Sequence, residues 1–338
     1  MNRASGITEN NGGLALVTPS TVGSTVSRSV FLSQRPGSLA EVGHQRIWYW
    51  RGWRVRYWFH LGPTLESGRS PIPPILLIHG FGANLNQWRH NLAVLSTVAP
   101  VYAIDLLGFG DAEKAAASYG AILWAEQGAD FIQHLIGQPV HVVGHSLGAL
   151  VALTIAHRHA DWVRQLLLVT VPTPASREDL VAGWVADLAR TVESLVASPL
   201  LLRPLFRVVR QRGFLERALR GIYTQSEAVD EDLIDTFALP PQQRGAARTL
   251  CYLVNARSDP NFSPSVKGML AELTQPTLIL WGERDRVIPP SLATGLADLN
   301  PHIQLRFLPN LGHCLYDEDP ATFNQAVVQW ASRCYAAD

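Results

Sequence analysis

The sequence predicts an α/β fold, a mostly parallel, doubly wound sheet with a helical block inserted before its last strands. Three observations predict it. Short apolar runs recur between stretches of helical periodicity, several of them end in glycine-bearing turns, and the alternation stops after Pro172 and resumes at Thr277. Strands that alternate with helices imply a parallel sheet. Its strands are buried on both faces and therefore read as continuous apolar runs.

Residues 1–45 are rich in Ser, Thr, Gly and Asn and are expected to form a flexible arm, within which Leu14 to Val17 is a short apolar run. The aromatic, partly alternating segment Ile47 to His60 carries Arg51-Gly52 at its middle, which predicts a β-hairpin with a tight turn. A Pro-rich loop, Pro71 to Pro74, follows. Strands are then expected at Ile75 to Ile78, Val101 to Ile104, Val140 to Val143 and Leu166 to Val169. Helices are expected at Trp124 to Ile136 and Leu147 to His157. Residues 174–265 carry helical periodicity and no strand pattern, and form the expected cap over the carboxyl edge of the sheet, where ligands of open α/β sheets bind. Strands resume at Thr277 to Trp281 and Gln304 to Leu308, and a helix around Ala321 to Tyr335 ends the chain. The core is thus expected over 46–173 and 266–338.

Composition narrows the function classes. The chain has 338 residues, 47% hydrophobic and 17% charged, with zero formal net charge. That suffices for one substantial core, and the strongly basic face of a nucleic-acid binder is not expected. The three cysteines, Cys251, Cys314 and Cys334, are odd in number and far apart, so a disulfide framework is not expected and a reducing compartment fits. No Cys/His spacing suggests a metal site. No run reaches the ~18–20 apolar residues a spanning helix requires, and the N-terminus lacks a secretory pattern. A cytoplasmic protein is expected.

The chemistry lies at the strand ends. Gly144-His145-Ser146-Leu147-Gly148 matches G-x-S-x-G, with an apolar strand before it and an apolar helix after it. A sharp strand-to-helix turn of this kind presents a serine hydroxyl at a helix N-terminus and tolerates only small neighbours. Serine is a weak nucleophile near neutral pH and requires a base. Of eleven histidines, His313 follows the last predicted strand in Asn310-Leu311-Gly312-His313 and is the expected base. His145 is expected to point away from the turn, His79 to brace its loop, and His157 and His159 to lie at a helix end. The base requires an acid to hold its tautomer. Asp285, just after the strand ending at Trp281, is the expected one, with Glu283 and Asp105 as rivals; Asp105 is read as a brace for the loop Leu106 to Gly110. The order Ser146, Asp285, His313 is the one nucleophile-elbow enzymes use. Expected oxyanion donors are the backbone amides of Leu147 and Phe81. No phosphate-binding glycine motif accompanies these residues, and neither a metal nor another cofactor is expected.

Taken together these motifs resemble the α/β-hydrolase superfamily over residues 47–335. The resemblance implies an eight-stranded core, the triad roles named above and cofactor-free chemistry, and leaves the substrate open. A narrower resemblance lies in His79-Gly80-Phe81-Gly82-Ala83, Trp88-Arg89-His90-Asn91, Val101 to Gly110 and Trp50-Arg51-Gly52. These are similar to the branch of photosynthetic organisms that includes pheophytinases and chlorophyll dephytylases. That likeness implies hydrolysis of a phytyl ester at a thylakoid surface. In that branch Asn often stands where this chain has His145, and a Ser-Asp-Lys-Pro-like run where it has Asp111 to Ala115.

The cap stretch Leu200 to Tyr223 interleaves leucines and phenylalanines with Arg203, Arg207, Arg210, Arg212, Arg217 and Arg220. Such a stretch suits an anionic membrane surface or a lipid-like substrate, or else an ordinary helix with a solvated arginine face. The expected function is hydrolysis of a small hydrophobic carboxylic ester by Ser146. Aspartate at that position would instead suggest a dehalogenase or epoxide hydrolase. C–C bond hydrolysis, perhydrolase or lyase chemistry, or non-catalytic binding of a lipophile, are the alternatives.

Overall fold

The aromatic segment around residue 50 folds as an antiparallel hairpin. Strand β1 (His44–Trp50) pairs with β2 (Trp53–His60), with Trp50 opposite Trp53. Arg51 and Gly52 both take positive φ, 51° and 85°, the two-residue geometry whose twist matches the strands it joins. β1 begins inside the segment expected to be a flexible arm. There the ladder to Phe59 and Trp58 supplies backbone partners to His44 and Gln45 that local composition does not reveal. A computed structural model describes residues 43–63, 70, 72–173, 204, 206–257, 259 and 261–333. The expectations for 1–42, for Pro71, for 174–203 with Leu200 to Arg203, for Leu205, and for Cys334 and Tyr335 lie outside the described residues.

The remaining strands are β3 (Ile75–Ile78), β4 (Val101–Ile104), β5 (Val140–His145), β6 (Val163–Val169), β7 (Thr277–Gly282) and β8 (Ile303–Leu308). They complete an eight-stranded sheet in the order β1-β2-β4-β3-β5-β6-β7-β8. β2 runs antiparallel to β4, and every pair from β4 to β8 is parallel. Alternate residues of each central strand serve opposite layers. Leu76 and Ile78 pack on one face, with Val142 and Leu168, and Ile75 and Leu77 on the other, with Val143 and Leu167. Burial of each such aliphatic side chain contributes about 1.5–3 kcal/mol. This two-sided burial explains why the strands read as unbroken apolar runs.

Helices α1 (Ala121–Phe131) and α2 (Leu147–Arg158) cover one face. The expected extension of α1 to Ile136 is present as a wider turn, Ile132–Ile136, closed by Gly137 in the left-handed conformation at φ 72°. Between β6 and β7 the described residues contain α3 (Arg212–Ile222), α4 (Glu231–Ala238), α5 (Ala246–Arg257) and α6 (Val266–Glu272), and no strand. Asp230 caps α4 by accepting from the Leu233 amide. This insertion is tied to the sheet's loops. Asn84 donates to Thr236 O at 2.7 Å, Gln243 donates to Asp111 at 2.6 Å, and Arg89 joins Asp230 to the buried Asp317. The chain closes with α7 (Pro320–Ser332), whose Phe323, Val327 and Trp330 seal the second face. Among the described residues no helix is long and apolar enough to cross a membrane.

Candidate active site

The loops that leave the carboxyl ends of β3, β5, β7 and β8 carry the sequence-predicted residues. Ser146 follows β5 directly and is the residue from which α2 starts. Its backbone sits at φ 52°, ψ −115°, a conformation that L-residues adopt only under constraint. The constraint is visible in its neighbours. A β-carbon at Gly144 would strike the Gly148 carbonyl, and one at Gly148 would strike the Ile78 carbonyl. Only glycine lets strand, turn and helix approach this closely, which is the reason for the pattern read from the sequence. The Ser146 amide donates to Val169 O at 2.9 Å and anchors the turn to β6.

Asp285 and His313 are brought together from the ends of β7 and β8. His313 Nδ1 lies 2.8 Å from Asp285 Oδ2, and both residues are buried. The other carboxylate oxygen accepts the amides of Val287 at 2.7 Å and Ile288 at 2.8 Å. The Trp281 indole donates to Ile288 O and closes the same loop. The rival Glu283 is exposed.

His145 is fully withdrawn. Its Nε2 lies 3.1 Å from His313 O, and the two rings stand 4.7 Å apart. Burial, and next the nearby His313, push its pKa well below the ordinary value, so the neutral ring donates from Nε2. The residue before the serine thereby buttresses the loop of the predicted base. The turn that carries Ser146 is thus joined to the His313 loop by the His145 side chain, for which the sequence suggested only a direction.

His79 and Asp105 are braces, as expected. Burial lowers the His79 pKa. Its ring joins Gly80 O at 2.8 Å through Nδ1 and accepts the Leu106 amide at 3.0 Å through Nε2, linking the β3 and β4 loops. Burial alone would raise the pKa of Asp105, but the Arg56 guanidinium at 2.7 Å outweighs it and holds the carboxyl below its usual range. Asp105 also accepts the amides of Leu85 and Asp111. The Gly80 amide is held by Gln87 at 3.0 Å. Between these anchors Phe81 stands out at 56% exposure, its ring set edge-on to Phe109 at 5.3 Å. Leu147 is the first residue of α2, where backbone amides have no intrahelical acceptor. His157 and His159 meet Glu272 and Glu126 near the surface.

Sequence reasoning missed Thr224, Asp317 and Glu318. The Thr224 hydroxyl donates to Arg284 O, its amide donates to Glu318, and Tyr223 donates to Asp317. The available signal was the acidic pair Asp317-Glu318, which follows Cys314-Leu315-Tyr316 and is buried with them. In the arginine-rich stretch, Arg212 is engaged by Glu231 and Asp235, and Arg220 by Glu216. Much of α3's positive charge is therefore neutralised within the insertion. Among the described residues no cluster of His, Cys, Asp and Glu could hold a metal ion.

Comparison with known proteins agrees with this architecture. Epoxide hydrolase 3 of Xenopus tropicalis is 28% identical over 300 residues, covering 86% of this chain and 79% of its own. The 2-hydroxy-6-oxo-6-(2′-aminophenyl)hexa-2,4-dienoic acid hydrolase of Metapseudomonas resinovorans is 25% identical, covering 80% of this chain and 87% of its own. Among solved structures, a bacterial membrane phospholipase A superposes with a TM-score of 0.70 at 26% identity, covering 89% of this chain and 88% of its own. The profile of the alpha/beta hydrolase fold matches residues 73–320. The chain belongs to the α/β-hydrolase fold family and is a hydrolase.

Proposed function

We propose that this protein hydrolyses a hydrophobic carboxylic ester with Ser146 as nucleophile, His313 as base and Asp285 as its orienting acid. The observation that carries the reading is the Asp285–His313 pair, whose loop is bonded by His145, the neighbour of a serine held at positive φ on a strand-to-helix turn. Asp285 holds a proton on Nδ1 and leaves Nε2 free to accept the Ser146 hydroxyl proton as Oγ attacks the ester carbonyl. The amides of Leu147 and Phe81 receive the developing oxyanion. His313 then returns the proton to the departing alcohol. Water, deprotonated by the same imidazole, cleaves the acyl-enzyme and releases the acid.

The nucleophile's identity decides between ester and epoxide. Serine attack on an epoxide would leave an ether that water does not hydrolyse, whereas a carboxylate nucleophile leaves a cleavable ester. The likeness to the dienoic acid hydrolase supports a second reading, hydrolysis of a C–C bond next to a ketone by the same residues. The helical insertion serves as the cap, and the exposed Phe81 offers an aromatic surface to a lipophilic group. Phytyl-ester cleavage is the finer form of the ester reading and rests on the motif likeness alone. So does a thylakoid location. Peripheral contact with a membrane would fall to Arg207, Val208 and Arg210, which precede the internally paired Arg212.

The test is labelling with a fluorophosphonate, together with a hydrolysis panel of short p-nitrophenyl esters, long-chain esters, pheophytin and a 2-hydroxy-6-oxo-dienoic acid. Labelling lost in Ser146→Ala, with turnover of long-chain esters, is the expected result. No labelling of the folded wild type would make the protein a lipophile binder. Turnover of the dienoic acid alone would select the C–C reading.

A further inference from the structure

We propose that Glu318 is the positioning residue for His313, and that the helical insertion reaches the base through it. The proposal rests on His313 acting as the base. Glu318 ends the one-turn helix Leu315–Glu318 and is only 7% exposed. Its Oε2 accepts the Gly312 amide at 3.0 Å, and the Cys314 amide also bonds to this carboxylate. These two amides flank His313 in the chain. Holding the peptide groups on both sides of one Cα fixes the direction in which its side chain leaves the backbone.

The same carboxylate gathers a second segment. Oε1 accepts the Thr224 amide at 3.3 Å, and the Gln225 amide joins it. Thr224 and Gln225 directly follow α3 and Tyr223, about ninety residues away in sequence. Thr224 also reaches the acid's loop, since its hydroxyl donates to Arg284 O at 3.3 Å, one residue before Asp285. The insertion therefore touches the loops of both acid and base at one point. Gly312 is glycine for this reason, because a β-carbon there would strike Thr224 Oγ1 and Glu318 Oε1.

The chemistry of the contact argues against filler. A buried carboxylate is costly unless its oxygens are satisfied. The adjacent Asp317 is met by the Arg89 guanidinium, but among the described residues Glu318 is met by amides and by no cation. A ring of amides from two segments, centred on one acceptor, is a device for orientation rather than for charge pairing.

The experiment uses the full chain with Glu318→Gln, Thr224→Ala and Thr224→Ser. Two readouts are taken: kcat and KM on p-nitrophenyl butyrate, and the low-field proton resonance of His313 Nδ1–H, assigned by its loss in His313→Gln. Glutamine places an NH2 group against amide donors. Glu318→Gln should lower kcat about 10- to 100-fold, the scale of a small misplacement of a reacting group. KM should stay within about twofold, and the resonance should broaden or shift. Thr224→Ala should lower kcat several-fold and Thr224→Ser should restore it. A lower melting temperature in Glu318→Gln with kcat and the resonance both unchanged would overturn the proposal. If Glu318→Gln does not fold, Glu318→Asp decides, since it draws the same acceptor away from the Gly312 and Thr224 amides: an unchanged kcat and resonance there overturns the proposal. Should the wild type cleave no ester while its resonance still responds to Glu318→Gln, the positioning role stands and the ester reading falls.

Discussion

Asp285 divides its two oxygens between different tasks: Oδ2 meets His313 Nδ1 at 2.8 Å, while Oδ1 accepts the amides of Val287 and Ile288. The amide bonds fix the rotation of the carboxyl group, and the remaining oxygen is thereby aimed at the imidazole. Asparagine would keep the bonds from the Val287 and Ile288 amides through its carbonyl oxygen and would present an NH2 to the imidazole. The imidazole would then carry its proton on Nε2, the wrong nitrogen for a base. Asp285→Asn should therefore fold normally and lose on the order of 10³–10⁴ in kcat with little change in KM. Steady-state kinetics beside a thermal melt checks this; a variant within tenfold of wild type would remove Asp285 from the mechanism.

The strain at Ser146 gives a prediction about stability. Its φ of 52° and ψ of −115° disfavour any residue with a β-carbon by about 1–3 kcal/mol. Alanine removes the hydroxyl and keeps the strain, whereas glycine relieves it at the expense of a more flexible unfolded chain. Both variants should lose fluorophosphonate labelling. Ser146→Gly should nevertheless melt at or above Ser146→Ala in urea. A glycine variant clearly less stable than the alanine one would show that the turn is relaxed, not strained.

Arg56 and Asp105 form a buried pair at 2.7 Å, with side chains 8% and 0% exposed. Removing one charge from such a pair leaves the other uncompensated and costs about 3–5 kcal/mol. Asp105→Asn should destabilise the fold on that scale, and Asn84 and Asp111, which also contact Arg56, will soften it. At a temperature where the variant remains folded, kcat should fall far less than in Asp285→Asn. The contrast separates the two strand-end aspartates that the sequence alone leaves as rivals.

The contrast also shows what the sequence can reveal. Ile75–Ile78 and Val101–Ile104 are legible to the residue because burial on both faces leaves no polar position to blur their ends. The Ser146 turn is legible because backbone contacts demand both glycines, Gly144 against Gly148 within the motif and Gly148 against the end of β3. Asp285 and His313 are legible from their places after strands, since a parallel sheet brings successive carboxyl ends to one edge. The partnership of Glu318 and Thr224 was not, because it spans 94 positions: the acidic pair Asp317-Glu318 shows in the sequence, but nothing local points from it to Thr224. The pairing of Arg212 with Glu231 and Asp235 was hidden for the same reason, so a stripe that reads as free charge is partly neutralised in three dimensions.

His141 carries the last prediction. It is wholly buried in β5, its ring lies 5.3 Å from Trp330, and neither ring nitrogen has a hydrogen-bond partner. Burial, reinforced by the charge of Arg164, pushes its pKa from 6.5 down to about 4. The folded state therefore refuses a proton that the unfolded chain accepts. Above about pH 6.5 the ring is neutral in both states and has no linkage effect. As the pH falls below that value the unfolded chain gains protons, and stability drops by about 1.4 kcal/mol per pH unit until the folded ring also titrates. By about pH 5 this one group should have removed about 2 kcal/mol. Leucine at 141 would match the flanking apolar residues and cannot titrate. Urea unfolding should show His141→Leu gaining on the wild type by about that amount between pH 7.5 and pH 5. Wild type retains part of its slope in the variant, because burial lowers His79 and His145 as well. Parallel stability curves for the two proteins would mean that His141 takes up its proton while folded.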